Sequence, residues 1–446
     1  MATQSAATLG DFGIHSARTR LLSTIIAGIL FSAPAFNAWA TGLPVTSCAD
    51  DGSPGTLRSA VASAQDGDVV TLSQLPLVCS TISLSTGAIE IPVANLTIEG
   101  DVNRSITISA AGKSRVLHHT GTGTLVLKYL GVTDGYYIAP VAHGGCIYSA
   151  GSVTLFADDE IYNCAALGGT SGDHYSGDAK GGAIFAQGNV AVQESVVSEG
   201  FAGGNSQTSY YQVLGGNIYA GGAITVTHSE VSYGRLLDFY GHSKGGGIAS
   251  MSASGISVTR SLIVGNSADY GGGIFVQSPN ATVQSKISDS TFIDNRAPYA
   301  GAGLTIIGGA LTLENSTIGY NYPVGLAVYS ATPTLHSNIV FGSPAYDVRK
   351  NSISSITLDH NLIGKTNFLL IGSDTLQSDP HLGPLQRNGS WLRSVALLPG
   401  SPAIDAGSNP DNLIFDQRGA PRAIGAAPDI GSFEFDPDVI FTSGFE

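Results

Sequence analysis

The chain has 446 residues, of which 58 are glycine, 43% are apolar and 12% are charged, and its formal net charge is -14. That apolar content is too high for a disordered chain. The acidity argues against nucleic acid or anionic lipid as a partner, because most of the surface would repel them.

Arg18 and Arg20 precede an apolar run over 21–31, and Ala38, Trp39 and Ala40 supply a small-x-small cleavage pattern. Residues 1–40 therefore read as a signal peptide, since a spanning helix needs about 20 apolar residues. The expected location is secreted, periplasmic or on the outer surface of a bacterium, with no transmembrane span. Removing these residues takes away two Arg and one Asp, so the mature charge moves from -14 to about -15. The even set Cys48, Cys79, Cys146 and Cys164 fits export. The expected bonds join Cys48 to Cys79 and Cys146 to Cys164; unpaired buried thiols are the alternative.

A short helix is predicted over 56–65, where Leu57, Ala60, Val61 and Ala64 form one apolar face, Ser53 or Thr56 can cap the start and Gly67 closes the end. Strands follow at 69–72, 96–98, 106–108 and 125–127. A pattern of glycine, glycine or alanine, small, aliphatic then recurs at 144–147, 181–184, 221–224, 245–248, 271–274 and 301–304, with spacings of 37, 40, 24, 26 and 30. Short β-rich segments and polar corners fill each interval, and no 3.6-residue period runs through the region.

A repeat of that length makes one rung of three short strands and three turns, and a rung cannot bury its own apolar face. Stacking rungs about 4.8 Å apart supplies both hydrogen-bond partners and a continuous core. The predicted fold is all-β, a single three-sided right-handed parallel β-helix over 41–376. An N-terminal cap occupies 48–68, a C-terminal capping segment 377–435 and an exposed tail 436–446; a monomer is expected. Ser261, Ser290 and Ser316, each followed five residues later by Asn266, Asn295 and Asn321, are predicted to form ladders of like side chains at the corners.

The glycine pattern and the "FIDN" at 292–295 resemble the repeats of bacterial polymorphic outer-membrane proteins and other right-handed β-helix repeat proteins. "SDPHLGPL" from Ser378, "LLPGSPAIDAG" from Leu397, "DQRG" from Asp416 and "PDIGSFE" from Pro428 are similar to the terminal segment of secreted choice-of-anchor Q proteins with right-handed β-helix repeats. The likeness covers roughly 45–435 and departs at 388–390 and at Ala423. It implies a fold and a place in the cell, and function has to come from a site.

Residues just before the glycine patterns suggest one. Tyr136, Tyr137 and His143 precede the first; His174, Tyr175, Asp178 and Lys180 the second; Tyr210, Tyr211 and Tyr219 the third. Phe239, Tyr240, His242 and Lys244 precede the fourth, Asp269 and Tyr270 the fifth, and Tyr299 the sixth. Shared phase should place them in a stripe on one corner, with Tyr240, His242 and Lys244 alternating along an extended approach. Tyr137, Tyr175, Tyr211, Tyr219, Tyr240, Tyr270 and Tyr299 would stack on sugars of an extracellular polysaccharide or cell-surface glycan. The plainer reading is that tyrosines cover glycine-rich turns.

An alternative is a uronic-acid polysaccharide lyase. It needs a cation to neutralise the carboxylate and a base for the C5 proton; His143, Lys180, His242 and Lys244 are candidates for both, with Asp178 and Asp269 as possible calcium ligands. A hydrolase is less favoured. Among polygalacturonase-type motifs only Asp158 with Asp159 matches, and 241–243 is a partial echo. Asp405, Asp416, Arg418 and Asp429 read as turn and cap partners. A structural or adhesive surface protein without glycan preference is the third reading.

Overall fold

A computed structural model describes residues 42–438, apart from 171, 174, 206–211, 281, 372 and 373. The expected signal peptide, His174, Tyr210, Tyr211 and most of the tail lie outside the described residues. Short strands recur in three parallel sheets, each adding one strand per turn of chain. Among the described residues face 1 has twelve, from Gly42–Pro44 to Thr357–Asp359; face 2 has eleven, from Thr81–Ser83 to Leu362–Ile363; face 3 has ten, from Ile89–Ile91 to Tyr346–Lys350. Equivalent residues pair from turn to turn, as in the face 3 column Ile147, Ile184, Ile218, Ile248, Ile274 and Leu304. Every member of that column is buried. The result is a parallel β-helix whose core is a stack of like aliphatic side chains. Among the described residues no helix is long and apolar enough to cross a membrane.

The register corrects one repeat. The third pattern on face 3 is 215–218, not 221–224, because Ile218 pairs with Ile184 and Ile248 while Ile224 opens a face 1 strand beside Val190 and Ile256. Gly215 carries the left-handed backbone (φ 64°) shared by Gly144, Gly181, Gly245 and Gly271. A Cβ on Gly215 would stand 2.3 Å from the Ile218 carbonyl oxygen, so only glycine fits.

The corner ladders form as expected and run further. The amides of Ser261 and Ser290 donate to the hydroxyls of Ser290 and Ser316, and Asn338 and Asn361 continue the line. Asn266, Asn295 and Asn321 bond in sequence at the second corner, preceded by Asn217. Cys164 lies in the column of Gly200, and its disulfide to Cys146 fills the corner where asparagines sit in later rungs. Helix Leu57–Ser63 caps the first rung, with the Thr56 hydroxyl accepting from the Ser59 amide. The Cys48–Cys79 bond ties this cap to the first turn.

The C-terminal segment does not plug the end of the coil. Phe368 and Leu370 pack there against the core. Residues 377–435 instead run back along the outside of face 2: Ile430 and Phe433 pack with Ile339 and Leu362, Leu392 and Val395 with Leu262, Val264 and Ile293, and Arg393 pairs with Glu230 at 2.9 Å. Where they are covered, face 2 strands turn Leu262, Val264, Ile293, Ile339 and Leu362 outward, with Thr291 and Thr317 bonded to Gln417 and Ser432 of the segment, and Thr81, Ser83, Thr107 and Ser109 hold the outward positions where they are not. Asp405, Asp416 and Asp429 accept backbone amides within this segment, and Arg418 pairs with Asp416, as turn partners should.

Candidate functional site

In the middle rungs the chain leaves the coil before face 3 and forms a two-layered wing. The outer layer comprises Tyr136–Ala139, Cys164–Gly168, Gly200–Gly204 and Arg235–Asp238; the inner one comprises Val141–His143, Asp178–Lys180 and Val213–Leu214. Ala179, Ala202, Val213 and Leu236 pack between the layers. Alternation along the inner strands turns the opposite side chains toward face 3.

Register therefore aligns His143, Lys180, Leu214, Lys244 and Tyr270 in one column, a rung apart. Of the residues expected in the stripe only His143, Lys180, Lys244 and Tyr270 share this column, and Leu214 takes its third position. His143 Nε2 lies 2.7 Å from Asp178 Oδ2, and Lys180 Nζ lies 3.3 Å from the same oxygen. The other Asp178 oxygen accepts the Gln212 amide at 2.6 Å. Burial works against the Asp178 charge, but His143, Lys180 and the amide outweigh it and hold the carboxyl below its usual range. Lys244 has no carboxylate partner among the described residues. It stands 5.5 Å above the Phe275 ring, and burial lowers the pKa of its ammonium.

The floor beside this column is an aromatic ladder on the outside of face 3. Tyr148, Phe185 and Tyr219 stack at 5.4 and 5.6 Å with nearly parallel planes, and the His143 ring stacks on Phe185 at 4.3 Å. These rings cover one another's faces, so they present mainly edges outward. Tyr219 belongs to this floor and follows its glycine pattern rather than preceding it. Tyr148, Phe185 and Phe275 were not anticipated, although each directly follows the inward aliphatic residue of its repeat and so must point outward.

The remaining predicted residues divide. Tyr137 lies under the Arg115 guanidinium, 3.7 Å from its ring centre, and Arg115 bonds the carbonyls of His143 and Gly144. Tyr175 meets the edge of Phe239 at 5.6 Å. Tyr299 is 55% exposed, lies beside Tyr270 at 5.7 Å and covers Gly241. Tyr240, His242 and Lys244 do not alternate along an extended strand: Asp238 accepts the amides of Tyr240 and His242 and makes a tight turn at the wing tip. Lys244 alone joins the column, while Tyr240 stays 46% exposed at the turn.

Asp178 and Asp269 do not converge on one ion. They stand three rungs apart, about 14 Å, and Asp269 is occupied by the amide and hydroxyl of Ser243 at 3.0 and 2.5 Å. No group of three or more metal-ligating side chains occurs among the described residues. Asp159 is buried beneath the amides of Leu130 and Phe156, at 3.0 and 2.9 Å, in line with the serine ladder; burial pushes its carboxyl up to about 7. It is a corner residue whose two carboxylate oxygens are taken by backbone amides.

Residues 177–341 match the family model described as a right handed beta helix region. With the parallel stacking above, this defines the chain as a right-handed parallel β-helix repeat protein. A solved structure titled pectate lyase Pel9A is similar to it at a TM-score of 0.47 and 12% identity, over 89% of this chain and 97% of that one. No curated protein matches the chain.

Proposed function

We propose that the chain is an exported β-helix protein of the choice-of-anchor Q type that binds an extended extracellular glycan along the step between the wing and face 3. The single observation that carries this reading is the column His143, Lys180, Lys244 and Tyr270, one strand register that repeats polar and cationic groups along the axis. Tyr240 and Tyr299 supply open rings at its far end, and ring edges with ammonium groups beside them suit sugar hydroxyls and carboxylates. The signal sequence and the cysteine pattern support export.

A second reading, a uronate lyase, is favoured by Lys244. An ammonium with no acid partner and a lowered pKa loses its proton more readily, as a base that takes a C5 proton must. Lys180 and His143, held by Asp178, would face the substrate carboxylate. The test is retention of the mature protein on pectin, alginate and hyaluronan, with absorbance of the unsaturated product followed in the same samples. Binding without product growth supports the binding reading; growth that Lys244→Gln abolishes, with binding kept, supports the lyase. No retention on any polymer overturns both.

A further inference from the structure

From Gly131–Thr133 to Ile339–Phe341, the residue that follows each face 2 strand turns the corner in the left-handed backbone region, where bulky side chains are strained and glycine, asparagine and aspartate are usual. Asn163 and Asp294 follow that rule, with φ of 53° and 56°. Tyr233 and Tyr320 break it, with φ of 52° and 51°. In both cases the next rung carries glycine at the same position, Gly265 after Tyr233 and Gly342 after Tyr320. A Cβ on Gly265 would stand 2.7 Å from two Tyr233 ring carbons, and one on Gly342 2.6 and 2.7 Å from those of Tyr320. Each ring therefore occupies the space that a side chain on the next rung's glycine would fill, yet Tyr233 and Tyr320 remain 46% and 44% exposed. The same costly pairing occurs twice, and it leaves each tyrosine nearly half exposed.

We infer that Tyr233 and Tyr320 form a second glycan platform, independent of the stripe, that takes a neutral, extended polysaccharide with flat apolar sugar faces. The two rings are three rungs apart, about 14 Å, so a ligand must be an oligosaccharide to span both. Flat, immobilised rings suit sugars whose hydroxyls are equatorial, because their C–H faces can lie against the ring. Asp294 stands in the column between the two rings, and the Arg393 guanidinium beside Tyr233 is already paired with Glu230. A polyanion would meet Asp294, which has no ion-pair partner among the described residues, and this selects against it.

The test is calorimetric titration of the mature protein with cellohexaose, xylohexaose and chitohexaose, and with the matching disaccharides. At least one hexasaccharide binds, more tightly than its disaccharide. Tyr233→Ala and Tyr320→Ala each weaken hexasaccharide binding about tenfold, in keeping with the loss of one ring contact, and leave disaccharide binding almost unchanged. Tyr233→Phe and Tyr320→Phe keep the affinity, which a hydroxyl-based contact would not. Wild-type protein that binds none of the three hexasaccharides, or alanine variants that bind them as wild type does, overturns the inference. Binding at the stripe is read separately with uronate polymers, so the two sites fail independently.

Discussion

Arg422 of the returning C-terminal segment lies 3.6 Å from Asp289 of the coil, and both are sealed from solvent. Glu434 approaches the same guanidinium at 3.7 Å. Asp416, Glu314 and Arg260 also face Asp289, and Asp429 faces Glu434. One arginine thus serves two buried acids at long range, so desolvation dominates and pushes Asp289 up to about 7 and Glu434 up to about 8.

The folded chain therefore binds more protons than the unfolded chain between the ordinary carboxylate range and pH 7 to 8. Stability must fall as pH rises through that window. Melting at pH 6 is expected to exceed melting at pH 9. Asp289→Asn should flatten the slope and raise stability at pH 9 by about 1 kcal/mol, since it removes a buried charge that lacks good partners. Equal slopes for wild type and variant in calorimetry would refute this account.

Asp178 carries the opposite sign. Its carboxyl is held low, so it contributes stability above its unfolded value near 4 and loses it as pH falls through the lower folded value. Asp178→Asn should cost about 1–3 kcal/mol at pH 7, with the gap to wild type closing below pH 4. A gap that persists in acid would mean that packing, not charge, accounts for the loss.

Ile274 is fully buried between Ile248 and Leu304. Ile274→Asp places an unpaired carboxylate in the stacked column and should cost several kcal/mol, against a total of about 5–15 kcal/mol for a typical domain. Soluble exported protein should disappear. Normal yield and melting would show that the column tolerates charge.

Peptide mapping of exported protein should recover Cys48 joined to Cys79 and Cys146 joined to Cys164. Replacing Cys146 and Cys164 together by serine opens an 18-residue link and should lower stability by about 3 kcal/mol. Any mixed pairing in the map would contradict the rung assignment.

Neighbours along a solenoid axis are one repeat apart in sequence, and this made much of the fold legible. The alternation around Ile274, the serine and asparagine ladders, the capping helix and both disulfides depend on a rung and its copies, so local pattern was enough. Stacking order decided the rest. Two glycine words stand six residues apart near Gly215 and Gly221, and only pairing with Ile184 and Ile248 picks the first. The stripe was visible as a phase, but whether a tyrosine offers its face or loses it to Phe185 depends on the ring in the next rung. The path of residues 377–435 was invisible because their apolar residues suit either an end or a side. Tertiary structure chose face 2, where Leu262, Val264 and Ile293 had no other means of leaving water.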